Sequence, residues 1–186
     1  LLKGTEADLG VSLGNGYIGE KVYSIPKYGM VNLHTEILPE FRGAQSIIWP
    51  IFEGSDETGF TIHQIDNKID TGNILFQKKN KIKFYSSISE TVKKNLSITR
   101  SQVPEACAYV CQNYLSLKDQ SKPQSAGKSY TTPSIWEFLR MWRNNKIMYK
   151  LSILYLNFLF SVLDIFSFWK FLYQQFTSFF SYWKKV

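Results

Sequence analysis

Apolar positions along the first half of the chain change their period several times, and each change marks an element. Leu9, Val11 and Leu13 alternate with Gly and Ser ahead of a glycine loop, which predicts a short strand within 7–16. "YGMVNLH" (28–34) predicts a second, buried strand, and "ILPEFRG" a loop. "AQSIIWPIFEG" (44–54) has the apolar spacing of a helix that stops near Gly54. "TGFTIHQID" (58–66) returns to alternation and predicts a strand, and a further strand follows the turn that begins "NKIDTGN". Residues 87–117 are helical by period, with Ser87 and Glu90 placed as a capping box. Strands interleaved with helices in this way predict an α/β sheet.

The pattern changes again further on. Residues 116–133 are polar and bear Pro and Gly, which predicts a linker. Residues 147–183 are then dominated by Phe, Tyr, Trp, Leu and Ile. Polar positions recur at Lys150, Asn157, Ser161, Asp164, Gln174, Ser178, Ser181 and Lys185, close to helical period, with Trp169 and Trp183 on or beside a very wide apolar face. The longest uncharged runs, 151–163 and 171–183, are 13 residues each, whereas a spanning helix needs about 20. Including Asp164 costs on the order of 3 kcal/mol at mid-bilayer. The expected form is a helix embedded in a membrane interface, with Arg140, Arg143, Lys146, Lys184 and Lys185 at the headgroups; a spanning helix and a helix buried against protein stay open. The expected organisation is therefore 1–115, an α/β domain; 116–133, a linker; and 134–186, a basic, aromatic helical tail.

Charge separates the same two regions. Residues 1–79 carry 7 Lys/Arg against 10 Asp/Glu, and residues 80–186 carry 15 against 5. Nucleic acid is thus not an expected partner of the first half, and an anionic membrane or ligand is the expected partner of the second. Cys107 and Cys111 stand i,i+4 on a helix with no metal-ligand pattern around them and read as reduced thiols. The chain starts at Leu1 without a basic-apolar-small leader and enters a strand almost at once, from which further upstream structure is expected.

Two motifs mislead. "GNGYIG" (14–19) matches G-x-G-x-x-G after a strand, but a dinucleotide site needs a long helix directly behind it. Pro26 and Gly29 interrupt the chain first. The glycines are better read as allowing close backbone approach to some other ligand. "AGKS" (126–129) lacks the Gly that a phosphate loop requires at 122, which is Lys.

The chemistry lies elsewhere. Asn32 and His34, two apart on a strand, point to one face, and Asp70 stands in a turn between two later strands. Carboxamide, imidazole and carboxylate together suit acyl transfer: the first two stabilise a developing oxyanion, and the third takes a proton from an attacking amine. No Ser or Cys occupies a nucleophile's place, so direct transfer is the simpler mechanism. On spacing alone, an edge histidine and an ordinary Asp-Thr-Gly turn remain open. Arg42 suits an acceptor anion or a surface acid equally, and His63 reads as a packed structural histidine.

"GMVNLHTEILPEFRGAQSIIWPI" followed by "ETGFTIHQIDNKIDTGNIL" resembles the core of the folate-dependent formyltransferases, a family acting on methionyl-tRNA, glycinamide ribonucleotide and sugar nucleotides. N-x-H, L-P-x-[YF]-R-G, T-G-x-T-[IV]-H and [ILV]-D-x-G occur in order, over about residues 7–85. The resemblance implies a mostly parallel, Rossmann-like sheet, here partial. It implies Asn32, His34 and Asp70 as catalytic groups and 10-formyltetrahydrofolate as formyl donor. Tyr17, Ile18 and Gly19, with Asp66, Asn67 and Lys68, would line the pterin pocket. The acceptor would be a primary amine, an amino sugar on a nucleotide being the first expectation. Methionyl-tRNA is less expected, because no basic RNA-binding barrel follows residue 133. The enzyme would sit in the cytoplasm, at the cytoplasmic face of a membrane; homo-oligomerisation stays open. A non-catalytic remnant acting as a membrane- or subunit-binding module is the alternative. Thr35-Glu36 departs from the family, which usually has Pro directly after the His.

Overall fold

The computed structural model describes residues 4, 6–44 and 47–183, the side chains of 164, 167–169 and 171–183 excepted. Lys184 and Lys185, expected at lipid headgroups, lie outside the described residues, as do Gln45 and Ser46 at the start of the expected helix. The side chains of Trp169 and Trp183 also lie outside the description.

The elements in chain order are β1 (Gly10–Leu13), α1 (Glu20–Tyr23), β2 (Met30–His34), β3 (Phe41–Gly43), α2 (Ile48–Glu53), β4 (Glu57–Gln64), β5 (Ile74–Lys81), α3 (Ile88–Gln120), β6 (Lys128–Tyr130) and α4 (Ile135–Trp183). The chain is mixed α/β. One sheet has the order β1-β2-β4-β5, and β3 pairs with β6 in a second. The parallel pairings are β1–β2 and β3–β6; β4 and β5 extend the first sheet antiparallel.

Each element has a local cause. α1 is a single turn, too short for a dinucleotide-binding helix. Gly54 closes α2 in the left-handed conformation (φ 78°), where glycine lacks the Cβ penalty. Ser87 caps α3, its side chain accepting from the Glu90 amide at 3.1 Å.

Alternation along β2 and β4 places Val31, Phe60 and Ile62 on one face of the sheet, where Ala106, Val110 and Tyr114 of α3 cover them. Each fully buried side chain of this size contributes about 1.5–3 kcal/mol. A second cluster joins Trp49 and Ile51 of α2 to Tyr130 and Met141.

Two boundaries differ from expectation. α3 runs to Gln120, and residues 128–130 form a strand on β3, so 116–133 is no free linker. Gly43 (φ 92°) sits against this strand; a Cβ there would meet the Tyr130 carbonyl oxygen at 2.2 Å. The first turns of α4 also belong to the α/β unit: Met141 and Asn145 are buried, and Asn144 donates to the carbonyls of Ile51 and Phe52. By packing, the first unit ends at Lys146 and the second begins at Ile147.

Candidate active site

The face of the sheet opposite α3 carries the polar residues. β2 and β4 pair with Asn32 across from His63 and His34 across from Thr61, so Asn32, His34 and His63 all turn away from the Val31–Phe60–Ile62 core. Asp70 reaches this face from the β4–β5 turn. Its backbone is left-handed (φ 54°), a conformation that Asp tolerates better than most residues. The Arg42 Nε donates to the Asp70 carbonyl at 3.0 Å, and the Gly43 amide donates to Oδ2 at 2.9 Å.

The carboxylate sits between two imidazoles. His34 Nδ1 is 3.5 Å from Oδ2, and His63 Nε2 is 3.4 Å from Oδ1. The other ring nitrogens fix the protons. His34 Nε2 lies 2.6 Å from the Phe41 carbonyl and His63 Nδ1 lies 2.7 Å from the Gln64 carbonyl; a carbonyl only accepts, so both nitrogens carry hydrogen. The two nitrogens facing Asp70 are therefore protonated only when their rings are charged. Asn32 Nδ2 is 3.3 Å from His63 Nε2 and keeps a second N–H for another acceptor. Asn32, His34 and Asp70 are thus gathered, with His63 as the connecting group.

Burial and charge pull in opposite directions here. Burial lowers the His34 pKa and outweighs the raising effects of Asp70 and the Phe41 carbonyl. For Asp70, burial raises the pKa, but the His63 hydrogen bond, His34 and the Gly43 amide together outweigh it and the net direction is down. Asp70 is accordingly ionised at neutral pH.

Arg42 is neither an exposed acceptor clamp nor half of a surface ion pair. It is 8% exposed, and its Nη2 donates at 2.9 Å to both Gln124 Oε1 and the Ser125 carbonyl. Gln124 in turn donates to the Gly72 carbonyl at 2.6 Å. The stretch 121–127 thereby straps the β3 end to the Asp70 turn. At Gly127 a Cβ would meet the Pro39 carbonyl oxygen at 1.9 Å.

The expected pterin-lining residues lie on two loops that approach each other. Tyr17 is 65% exposed, and its hydroxyl donates to the Asn67 carbonyl at 3.5 Å. Ile18 and Gly19 are half-buried ahead of α1. Asp66 orders the facing turn by accepting from the Lys68 amide and the Thr71 hydroxyl, while Asn67 and Lys68 are exposed. Around Gly14 and Gly16 nothing lies where a Cβ would point. Open backbone beside an aromatic ring and a polar turn fits a flat, hydrogen-bonding ligand.

Glu36 escaped the sequence reading as a site residue. It is completely buried two residues after His34. The Thr58 hydroxyl donates to its Oε1 at 2.5 Å and the Ile37 amide to its Oε2 at 3.0 Å. Burial pushes its pKa up to about 8 against these hydrogen bonds. The Thr61 hydroxyl donates to the Glu36 carbonyl, and the Leu38 amide donates to that hydroxyl, so the segment after His34 is stitched to β4.

The family model for formyl transferases matches residues 2–106, more than half of the chain. The chain belongs to the formyl transferase family. It is similar to the methionyl-tRNA formyltransferase of Prochlorococcus marinus (strain MIT 9515), with 32% identity over 163 residues, covering 83% of the chain and 50% of that protein. To the methionyl-tRNA formyltransferase of Ehrlichia ruminantium (strain Gardel) it is 45% identical over 80 residues, covering 43% of the chain and 26% of that protein. Among solved structures, a 4-N formyltransferase from Francisella tularensis shares the fold with a TM-score of 0.52 at 17% identity, covering 74% of the chain and 60% of that one. The chain spans half or less of the length of these two curated relatives. Membership in the formyl transferase family gives the Asp70 cluster its chemical context: it stands within the matched 2–106, whereas the Gln124 strap stands outside it.

Proposed function

We propose that the chain transfers a formyl group from 10-formyltetrahydrofolate to a primary amine. One observation carries this reading: an ionised carboxylate held between two imidazoles, beside a carboxamide, at the ends of β2 and β4. The folate donor supplies the one-carbon unit as an N-formyl amide at the formate oxidation level, and the Tyr17–Gly19 loop and the Asp66–Lys68 turn would hold it.

The protein's own groups do the rest. Asp70 takes the proton lost by the amine as nitrogen bonds to the formyl carbon, directly or through one water, and that proton passes to the donor's nitrogen as its bond to the formyl carbon breaks. Its pKa, held low by its partners, keeps it in the accepting form. His34, with Nε2–H fixed on the Phe41 carbonyl, turns Nδ1 into the site; because burial lowers its pKa, only the charged fraction of the ring donates from Nδ1 to the carbonyl oxygen on which negative charge develops. Asn32 offers its free amide hydrogen to the same oxygen. His63 Nε2 lies against both Asn32 and Asp70, accepting from the amide when the ring is neutral and donating to the carboxylate only when it is charged, and Arg42 holds the Asp70 backbone.

An amino sugar on a nucleotide is the proposed acceptor. Methionyl-tRNA is the second reading, favoured by the names of the relatives at 32% and 45% identity. The proposed location is the cytoplasm, at the membrane face reached through residues 147–183. The test is transfer of isotope-labelled formyl to a panel of amino-sugar nucleotides and methionyl-tRNA, by wild type and His34→Ala. Labelled product from the wild type, lost in the variant, supports the reading. Equal label from both removes the proposed role of His34, and none from the wild type favours a non-catalytic binding module.

A further inference from the structure

Within α4, Leu151–Leu163 contains no charged residue, and Asp164 is the sole charge between Lys150 and Lys170. Leu154, Tyr155, Phe158, Phe160, Leu163 and Phe166 are each 59–69% exposed. At about 100° per residue these six do not share a stripe but point to most sides of the helix. Lys150, Asn157 and Ser161 fall together on the one narrow strip they leave. An 18-residue window within Ile135–Leu163 has a mean hydropathy of 1.3, and none of it is buried.

A groove on another protein covers one side of a helix and leaves the other in water. Aromatic side chains on most sides need a medium that closes around them. Charge identifies the medium. Arg140, Arg143, Lys146 and Lys150 crowd the N-terminal approach, with Glu137 as the lone acid between Ile135 and Leu163. Lys146 Nζ stands 4.5 Å over the Trp142 ring, an aromatic-cation pair of the kind that sits at a lipid headgroup boundary.

We propose that α4 from Ile147 onward embeds lengthwise in the interface of a bilayer bearing anionic lipids, with Arg143, Lys146 and Lys150 on the headgroup phosphates, while Arg140 lies 4.4 Å over the Phe52 ring of the α/β unit. Ile135–Leu163 is long and apolar enough to cross by length and composition, but charge decides against it. The uncharged run of 13 residues rises about 20 Å as a helix, short of a hydrocarbon core of about 30 Å, and extending it past Leu163 would bury Asp164. The strip of Lys150, Asn157 and Ser161 then faces the headgroups and water, and the remaining arc lies among the acyl chains. This inference is independent of the formyl-transfer chemistry, and its test involves no turnover.

The full chain is floated through a density gradient with vesicles of phosphatidylcholine alone or with one quarter phosphatidylglycerol, then washed in high salt. The expected result is flotation with the anionic vesicles that largely survives the wash. The double variant Leu154→Lys/Phe158→Lys, whose thermal melt reports whether the α/β unit is intact, should lower the partition by roughly tenfold or more. Complete release by salt would mean contact through charge alone and overturn embedding. Unchanged flotation of the double variant would do the same. No flotation, with sedimentation showing assembly that the double variant abolishes, would make the occupant a second copy of the chain. Protection of a cysteine placed at Phe166 from reagents added on the protein's side, with labelling from the lumen, would show a crossing helix and overturn the lengthwise placement.

Discussion

Glu36→Gln isolates one buried proton. In the folded chain the carboxyl is wholly enclosed and its pKa is raised from the ordinary 4.5 to about 8, whereas in the unfolded chain it returns to the ordinary value. Between those two pH values the folded state binds the proton more tightly, so stability is fully present below about pH 4.5 and declines as pH rises through about 8. At roughly 1.4 kcal/mol per pH unit, the gap amounts to about 5 kcal/mol as an upper bound. Glutamine imitates the neutral acid: its carbonyl accepts from the Ile37 amide, and its amide takes the place of Oε1, where the Thr58 hydroxyl rotates from donor to acceptor. The assay is urea denaturation of wild type and Glu36→Gln at intervals from pH 4.5 to 9, read as the difference between the two curves. That subtraction removes the opposing contribution of His34, whose lowered pKa weakens the fold as pH falls. The variant should match wild type at the acid end, exceed it progressively from about pH 4.5 to 8, and hold that margin above. Parallel curves across the range would refute the buried neutral carboxyl.

Two further outcomes test the strap behind the Asp70 turn. Gln124→Ala removes one acceptor from the Arg42 guanidinium and one donor from the Gly72 carbonyl, and should destabilise by about 1–3 kcal/mol in urea denaturation. Gly127→Ala puts a Cβ where the Pro39 carbonyl oxygen lies at 1.9 Å. It should destabilise more than Gln124→Ala and loosen amide-exchange protection at β3 and β6.

The elements that build the sheet could be read from the sequence because their signals are local. Alternation in "TGFTIHQID" and the Ser87 cap gave β4 and α3 within a few residues. Asn32 and His34 could be paired because period two puts i and i+2 on one side. His63 could not be joined to them, since its role depends on β4 lying antiparallel to β2 in the register that sets it opposite Asn32. β3 and β6 have three residues each, too few for any periodic signal, so "FRG" read as loop and 128–130 as linker. Arg42 was misplaced for the same reason: its partners Gln124 and Ser125 are more than 80 residues away. Glu36 looked like a loop acid because burial is a tertiary fact.

Turnover of Asp70→Asn with 10-formyltetrahydrofolate and the acceptor found for the wild type tests the carboxylate's role most directly. Asparagine keeps the shape and can still accept from the Gly43 amide, but it cannot take the amine's proton. Formyl transfer should fall by about a thousandfold with folate-analogue binding and thermal melting little changed. Turnover within about threefold of wild type, far below the contribution of a general base, would contradict the proposed role of the carboxylate.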